Sequence, residues 1–310
     1  MSEFGVYVHI PFCRHRCDYC AFATWTDRDH LMVAYVDAVI ADIERTVKKG
    51  MPVADTVFFG GGTPTRLAPE LLASIVSAIP VTSNAEITIE CNPDDVTVEM
   101  IKIYAAAGVN RISMGVQSMV DHVLQSLNRT HDPANVVKAI AAAREGGITS
   151  INLDLIYGVH GESVDDWRTT VEQTIALQPT HISAYGLTVE AGTPLAEDPS
   201  RHPDDDDQAD KYVLADDLFS AAGLMNYEIS NWALAGHECR HNQVYWSQGN
   251  YTGFGCAAHS HLDGRRWWNV RTPDRYIDCV AKNETVEASD ELLDAPTRAR
   301  EALELSLRTR

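Results

Sequence analysis

The segment Tyr7-Val-His-Ile-Pro-Phe-Cys13-Arg-His-Arg-Cys17-Asp-Tyr-Cys20 combines a strand with a metal-binding loop. β-Branched and aromatic residues up to Pro11 predict the strand, so the three cysteines follow in the loop that leaves it. Three thiols on one loop are soft ligands for iron or zinc. Three thiolates can bind three irons of a four-iron cluster and leave the fourth iron open for another ligand. We therefore predict a 4Fe-4S cluster on Cys13, Cys17 and Cys20.

The remaining cysteines argue against a disulfide framework. The total of seven is odd, and those at positions 91, 239, 256 and 279 are scattered through a long chain. A ferredoxin-type or zinc site would use four ligands, and the loop holds no fourth cysteine. A structural zinc loop completed by His9 or His15 is the alternative that the spacing leaves open.

Charge and hydropathy exclude several classes of partner. The 310 residues include 25 basic and 44 acidic side chains, so the net charge is −19 and a nucleic acid would be repelled. The start, Met1-Ser2-Glu3, lacks the basic and apolar pattern of a signal peptide. No apolar run approaches the roughly 20 residues of a membrane span. We expect a cytoplasmic protein that binds no nucleic acid and has no transmembrane segment.

Strand and helix patterns alternate along the first 190 residues. Helix-start signals stand at Pro69, Thr97, Asp132 and Ser163. Such alternation implies an α/β fold with a parallel sheet, either doubly wound or curled into an incomplete barrel. In both, ligands gather at the C-terminal ends of the strands. The predicted strands are residues 6–10, 56–59, 86–90, 111–116, 151–157 and 181–187.

The regular alternation of strand and helix patterns ends near residue 190. Beyond it come an acidic stretch at 204–207, one more helix up to Gly223 and a segment rich in Trp, His and Gly. We therefore predict a core domain of residues 1–190 and a smaller C-terminal extension of residues 191–310. The acidic stretch is expected to be a solvated helix start.

The cysteine segment resembles the signature of the radical S-adenosylmethionine superfamily, in the branch of the oxygen-independent coproporphyrinogen dehydrogenases and the heme chaperones. The likeness runs from Tyr7 to about Arg308. It implies an incomplete parallel (β/α)6 barrel with an α+β extension, and a cluster whose open iron is chelated by S-adenosylmethionine. In the family, one electron splits this sulfonium and yields a 5′-deoxyadenosyl radical. Members usually continue into a further helical domain, so the resemblance implies that this chain is a fragment or a short variant.

The resemblance also assigns contacts with S-adenosylmethionine to strand ends and the loops behind them. The irregular loop 60–65 offers backbone groups to the methionine end. The Glu90 carboxylate can accept hydrogen bonds from ribose hydroxyls, and Arg129 can pair with a carboxylate. An internal salt-bridge network is the alternative for Glu90, Arg129 and Asp154. The expected contacts are Tyr7, Tyr19, Gly61, Gly62, Thr63, Glu90, Gln117, Arg129 and Asp154.

Two features separate this chain from the dehydrogenases. Dehydrogenases carry a further cysteine two positions after the last cluster cysteine, whereas here Cys20 is followed by Ala21 and Phe22. The segment His241-Asn-Gln-Val-Tyr-Trp246 resembles the HNxxYW motif of the heme chaperones, and residues 251–260 resemble the glycine-rich segment that follows it. Both features favour the chaperone branch.

His241 is the first candidate for a heme ligand. A neutral imidazole binds heme iron, and Tyr245 and Trp246 can line a flat apolar pocket. The alternatives are a packed, hydrogen-bonded core histidine and a small metal site formed with His237 and Cys239. Either alternative would leave this imidazole unavailable to heme.

The leading hypothesis is a heme chaperone that delivers heme to acceptor hemoproteins. The enzyme alternative is oxidative decarboxylation of coproporphyrinogen III, and a plain electron carrier is a third class. No catalytic residue is assigned, and whether the chain is an enzyme stays open. The expected partners are heme, acceptor hemoproteins and an electron donor such as a flavodoxin or ferredoxin, and peripheral contact with a membrane stays open.

Overall fold

The first part of the chain forms six parallel strands. In the computed structural model, which describes residues 3–310, they are β1 Phe4–Ile10, β2 Ala54–Gly61, β3 Val81–Cys91, β4 Arg111–Gln117, β5 Ser150–Tyr157 and β6 His181–Gly186. Each strand pairs with the next one in sequence. Met1 and Ser2, part of the start that lacks a signal-peptide pattern, lie outside the described residues.

The helices between these strands lie side by side on one face of the sheet. They are α1 Met32–Lys48, α2 Pro69–Ala78, α3 Val98–Ala106, α4 Asp121–Ser126, α5 Pro133–Glu145 and α6 Val164–Ala176. Helix α1 packs on α2, α2 on α3, and α3 on α5. A doubly wound sheet reverses its strand order and carries helices on both faces, whereas the order here follows the sequence. The predicted α/β fold is confirmed, and it is the incomplete barrel.

Helix starts follow the predicted local signals. Pro69 and Pro133 occupy the first turns of α2 and α5. The Thr97 side chain accepts a backbone N–H of α3, and Ser163 and Asp166 form a reciprocal capping box on α6. These contacts satisfy N–H groups that a helix start leaves unpaired.

Residues beyond 190 add strands to both edges of the sheet. The elements are α7 Asp205–Ala221, β7 Met225–Glu228, β8 Asn231–Ala233, α8 Arg240–Trp246, β9 Asn250–Phe254, β10 His259–Leu262, β11 Arg265–Asn269, α9 Pro273–Ala281, β12 Glu287–Leu292 and α10 Ala295–Ser306. Strand β8 pairs with β6 and carries β7, while β9 pairs with β1 and leads to β10, β11 and β12. The acidic stretch is the predicted helix start, since Asp204 caps α7. One sheet spans both predicted domains, and the boundary near residue 190 stays a prediction.

The length and hydropathy of the helices show whether any of them could span a membrane. Among residues 3–310, none has the length and apolar character that crossing a bilayer requires. The longest ones, α1 and α7, have 17 residues each.

The two faces of the parallel sheet differ because side chains alternate along a strand. The face under the helices is apolar, and Val6, Val8 and Ile10 of β1 are fully buried there. The inner face is polar, and on β1 it carries Tyr7 and His9. Its members on the other strands include Thr56, Glu86, Glu90, Arg111, Ser113, Asn152, Asp154, His181 and Ser183. This inner face is where the fold can place ligand chemistry.

A buried ion pair ties α7 to the loop after β5. The side chains of Lys211 and Glu162 are both 0% exposed, and Lys211 Nζ lies 3.1 Å from the Glu162 carboxylate. Nζ also lies 2.7 Å from the Asp207 carboxylate. Because Lys211→Met leaves a buried carboxyl group without its cation, we expect the free energy of unfolding to fall by about 3–5 kcal/mol in urea denaturation.

The matched control is an exposed pair on α1. Lys48 lies 3.9 Å from Glu44, and their side chains are 79% and 59% exposed. Lys48→Met should change the free energy of unfolding by less than about 0.5 kcal/mol. Equal losses in the two variants would show that the buried pair has no special role.

Candidate functional site

Backbone hydrogen bonds close the cysteine loop at its base. The Cys13 N–H donates to Trp25 O at 3.0 Å, and the Trp25 N–H donates to Pro11 O at 2.8 Å. The loop therefore leaves and returns at one point at the end of β1. Cys13 is buried, the other two predicted cluster cysteines are half-buried, and all seven cysteines are free thiols.

The glycine-rich loop after β2 packs directly on the cysteine loop. The Gly62 N–H donates to Ile10 O and the Thr63 N–H donates to Phe12 O, both at 2.8 Å. A Cβ on Gly62 would lie 2.7 Å from Phe12 O and 3.1 Å from the Cys13 sulfur, so a side chain cannot be accommodated. Backbone atoms of this loop can thus come close to a group that is bound by the three cysteines.

The two loops open onto a cavity of about 680 Å³ at the C-terminal ends of the parallel strands. This is the position and the size expected of a small-molecule site in such a fold. Tyr7 and His241 do not line this cavity. The predicted residues that do are Cys13, Cys17, Tyr19, Cys20, Gly61, Gly62, Thr63, Glu90, Gln117, Arg129 and Asp154.

Arg129 places a positive charge beside the cysteines. Its Nη1 lies 3.6 Å from Cys17 Sγ, and its Nη2 donates to Gly115 O at 2.8 Å. Burial raises the pKa of the Cys13 and Cys20 thiols, and the charge of Arg129 opposes that rise at Cys20. A nearby cation favours the thiolate, which is the form that binds iron.

Two carboxyl groups in the cavity are held toward their neutral form. Burial, and then the charge of Asp154, raise the pKa of Glu90 to about 8. Burial also raises the pKa of Asp154, against the hydrogen bonds that it accepts from Ser113 and Asn152 at 2.8 Å each. Within residues 3–310, neither carboxyl group nor Arg129 forms an ion pair. The internal salt-bridge network that was the alternative interpretation of Glu90, Arg129 and Asp154 is therefore not formed by these residues.

His131 is a cavity residue that the sequence did not single out. It is 5% exposed and lines the cavity, and neither ring nitrogen has a hydrogen-bond partner among the described residues. Nε of Arg129 is unpaired in the same way. Buried polar atoms normally have partners, so these atoms fit a polar ligand such as S-adenosylmethionine. The only signal in the sequence was the place of His131 two residues after Arg129.

The donor set fits the predicted cluster. Within residues 3–310, no three His, Cys, Asp or Glu side chains are grouped closely enough to hold one metal ion. A four-iron cluster has a different requirement, because each cysteine binds a different iron. The closed loop supplies three cysteines, one for each of three irons. The backbone at Gly62 and the unpaired polar atoms nearby can then contact S-adenosylmethionine at the fourth iron.

Tyr7 and His241 are the two predicted site residues that do not line the cluster cavity. The Tyr7 hydroxyl is 3.0 Å from His9 Nδ1. His241 is 1% exposed, and its ring nitrogens lie 2.8 Å from Thr56 Oγ1 and 2.8 Å from the Tyr245 hydroxyl. Heme iron could bind this imidazole only if the hydrogen bond at one of the two ring nitrogens opened. The arrangement is that of the packed core histidine considered as its alternative.

The chain is similar to known proteins over most of its length. The Radical SAM superfamily matches residues 7–174. A heme chaperone HemW of Mycobacterium tuberculosis is 40% identical over 100% of this chain and 82% of its own length. One of Bacillus subtilis is 37% identical over 90% of this chain and 76% of its own length. The solved structure of coproporphyrinogen III oxidase (HemN) from Escherichia coli, a radical SAM enzyme, gives a TM-score of 0.88 at 23% identity, covering 99% of this chain and 76% of that one. At that identity the structural likeness shows the fold alone.

Only the loop cysteines should hold the cluster. Anaerobically reconstituted Cys17→Ala should lose most of its iron and sulfide, because one of three protein ligands is gone. The matched control is Cys279→Ala on α9, a buried cysteine that does not line the cavity, and it should keep both. Iron and sulfide analysis beside circular dichroism measures this. Retention of the cluster in Cys17→Ala with loss in Cys279→Ala would overturn the assignment.

Proposed function

We propose that this chain, which belongs to the radical S-adenosylmethionine superfamily and within it to the family of the heme chaperone HemW, is a heme chaperone that binds heme and delivers it to acceptor hemoproteins. The observation that carries the proposal is the 40% identity to a heme chaperone over the whole chain. The cysteine loop agrees with it, since Ala21 and Phe22 follow Cys20 where the dehydrogenases carry another cysteine.

The resident cofactors of this family are a 4Fe-4S cluster and S-adenosylmethionine. We assign the cluster to Cys13, Cys17 and Cys20, with S-adenosylmethionine at the open iron. When bound, the pair supplies one-electron reductive chemistry. The protein contributes positioning and electrostatics, because the charge of Arg129 opposes the rise that burial causes in the pKa of the Cys20 thiol.

The proposed contacts with S-adenosylmethionine follow from the lining of the cavity. The backbone around Gly62 is free to approach the methionine end. Glu90, neutral below about pH 8, can both donate to and accept from ribose hydroxyls. Arg129 supplies an unpaired donor and His131 two unpaired ring nitrogens in the same lining. Asp154 accepts hydrogen bonds from Ser113 of the neighbouring strand β4 and from Asn152 of its own strand, and it completes the polar set.

Partners and location follow from this chemistry. Reduction of the cluster needs an electron donor, and we assign a flavodoxin or a ferredoxin to that role. A cluster held by thiolates and a full set of free cysteines belong in a reducing compartment, so we place the protein in the cytoplasm. Contact with a membrane, where it occurs, would be peripheral.

The chaperone and the dehydrogenase are distinguished on one reconstituted sample. The chaperone should show saturable heme binding in an optical titration, because a chaperone has to hold its cargo before it delivers it. The same sample should form no protoporphyrinogen from coproporphyrinogen III in an anaerobic assay. HemN from Escherichia coli serves as the positive control for turnover.

The possible outcomes separate three functions. Turnover at a rate comparable with the control would refute the chaperone and favour the dehydrogenase. Absence of both heme binding and turnover would favour the electron carrier. Heme binding without turnover is the result that we expect.

A further inference from the structure

A second cavity of about 600 Å³ adjoins the cluster cavity. Ala21 and Phe22 of the cysteine loop line both cavities. The other lining residues come mainly from β1, β9, β10, β11, the end of α8 and α10, and they include Tyr245, Tyr251 and Leu305. The volume falls in the range of small-molecule pockets, and the lining is largely apolar and aromatic.

Three histidines line this second cavity, and among the described residues only the ring nitrogens of His259 have no hydrogen-bond partner. Both ring nitrogens of His9 lie within hydrogen-bond distance of protein oxygens, at 3.0 and 2.8 Å. Those of His261 meet a backbone carbonyl at 2.8 Å and a backbone N–H at 3.1 Å. The ring nitrogens of His259 make no hydrogen bond to any residue within 3–310, and its ring is exposed toward solvent.

The surroundings of His259 keep its imidazole in place and uncharged. It stacks on Trp268 of the neighbouring strand, with ring centroids 5.8 Å apart and an angle of 27° between the planes. Partial burial, and then the charge of Arg266, lower the pKa of His259, while Glu291 acts in the opposite direction. The neutral imidazole is the form that ligates a metal.

Arg271 lines the second cavity and has no ion-pair partner among the described residues. Arg266 also lines it but is paired with Glu291 at 2.8 Å and with Glu301 at 3.1 Å. Glu301 is thereby neutralised, although it faces the same space. Arg271 forms no ion pair with any described residue. Its planar guanidinium is therefore available to a carboxylate.

We propose that this second cavity is the heme site, with His259 as the axial ligand of the iron and Arg271 as the partner of a propionate. The inference rests on the proposed function and specifies where its cargo sits. Heme needs apolar walls for the macrocycle, a neutral nitrogen for the iron and a cation for its carboxylates, and this cavity offers all of them. Phe22 of the cysteine loop, which is 64% exposed and lines both cavities, then lies between the heme and the cluster.

Other protein groups are poorer ligands for iron in this cavity. Tyr251 lines it, but burial raises the pKa of its hydroxyl, so the phenolate is disfavoured. Cys239 and Cys256 are 1% and 0% exposed, and neither lines the cavity. His241 lies behind Tyr245, to which it is hydrogen-bonded. His259 is the remaining candidate.

The test is a hemin titration of the cluster-loaded chain, followed by absorption spectroscopy. His259→Ala should shift the Soret band and weaken hemin binding by about tenfold or more, because an iron–nitrogen bond is lost. Arg271→Gln should weaken hemin binding by about tenfold but leave the binding of heme dimethyl ester unchanged, because the ester has no carboxylate. His30→Ala and Arg300→Gln replace exposed residues outside the cavity and serve as matched controls.

Each outcome decides the inference. Circular dichroism and iron content check that the variants are folded, and His259→Gln replaces His259→Ala if the latter is not. Wild-type protein that binds no hemin would refute both the proposed function and this site. Wild-type binding with His259 and Arg271 variants indistinguishable from their controls would overturn the site alone. A spectrum that responds to His241→Ala but not to the His259 variants would also overturn it.

Discussion

The backbone contact between the glycine-rich loop and the cysteine loop is the constraint on which both cavities depend. The Gly62 and Thr63 N–H groups donate to carbonyls at the end of β1 at 2.8 Å, and only a residue without a Cβ fits at position 62. These hydrogen bonds hold the cysteine loop in place between the cluster cavity and the second cavity. Its sulfurs line one cavity, and Ala21 and Phe22 line both. Asp18 secures the loop from outside, since it accepts a 2.9 Å hydrogen bond from Arg201 of the extension.

The polar inner face of the sheet explains what the HNxxYW segment does. Glu86 of β3 accepts the backbone N–H groups of Arg240 and His241 at 3.3 and 3.2 Å, so the start of α8 is fixed inside the barrel. The half-buried Glu86 carboxylate satisfies donors that the helix itself cannot. The His241 ring stacks on Phe58 and reaches the Tyr245 hydroxyl, and Tyr245 in turn forms a wall of the second cavity. The segment thus shapes the second cavity through packing.

Local features of the fold and site were accessible from the sequence, and long-range ones were not. The cysteine loop, the glycine loop and the helix caps are set by neighbouring residues, so spacing and residue type suffice. The alternation of strands and helices is compatible with a doubly wound sheet and with an incomplete barrel. Only the order in which the strands pair distinguishes the two, and it shows the barrel. The burial of His241 depends on Thr56, 185 residues away, which no local pattern shows. Strand β12 is exposed at every position, so it lacks the apolar alternation that identifies a strand.

We propose that one chain binds S-adenosylmethionine and heme in adjacent, separate cavities. The most direct test is the electron-spin spectrum of the reduced, reconstituted protein with S-adenosylmethionine, recorded before and after loading with heme. Because the open iron lies in the cluster cavity and the heme beyond Phe22, S-adenosylmethionine should perturb the cluster signal in both samples. A cluster signal that S-adenosylmethionine never changes, or whose change disappears when heme is bound, would contradict the account.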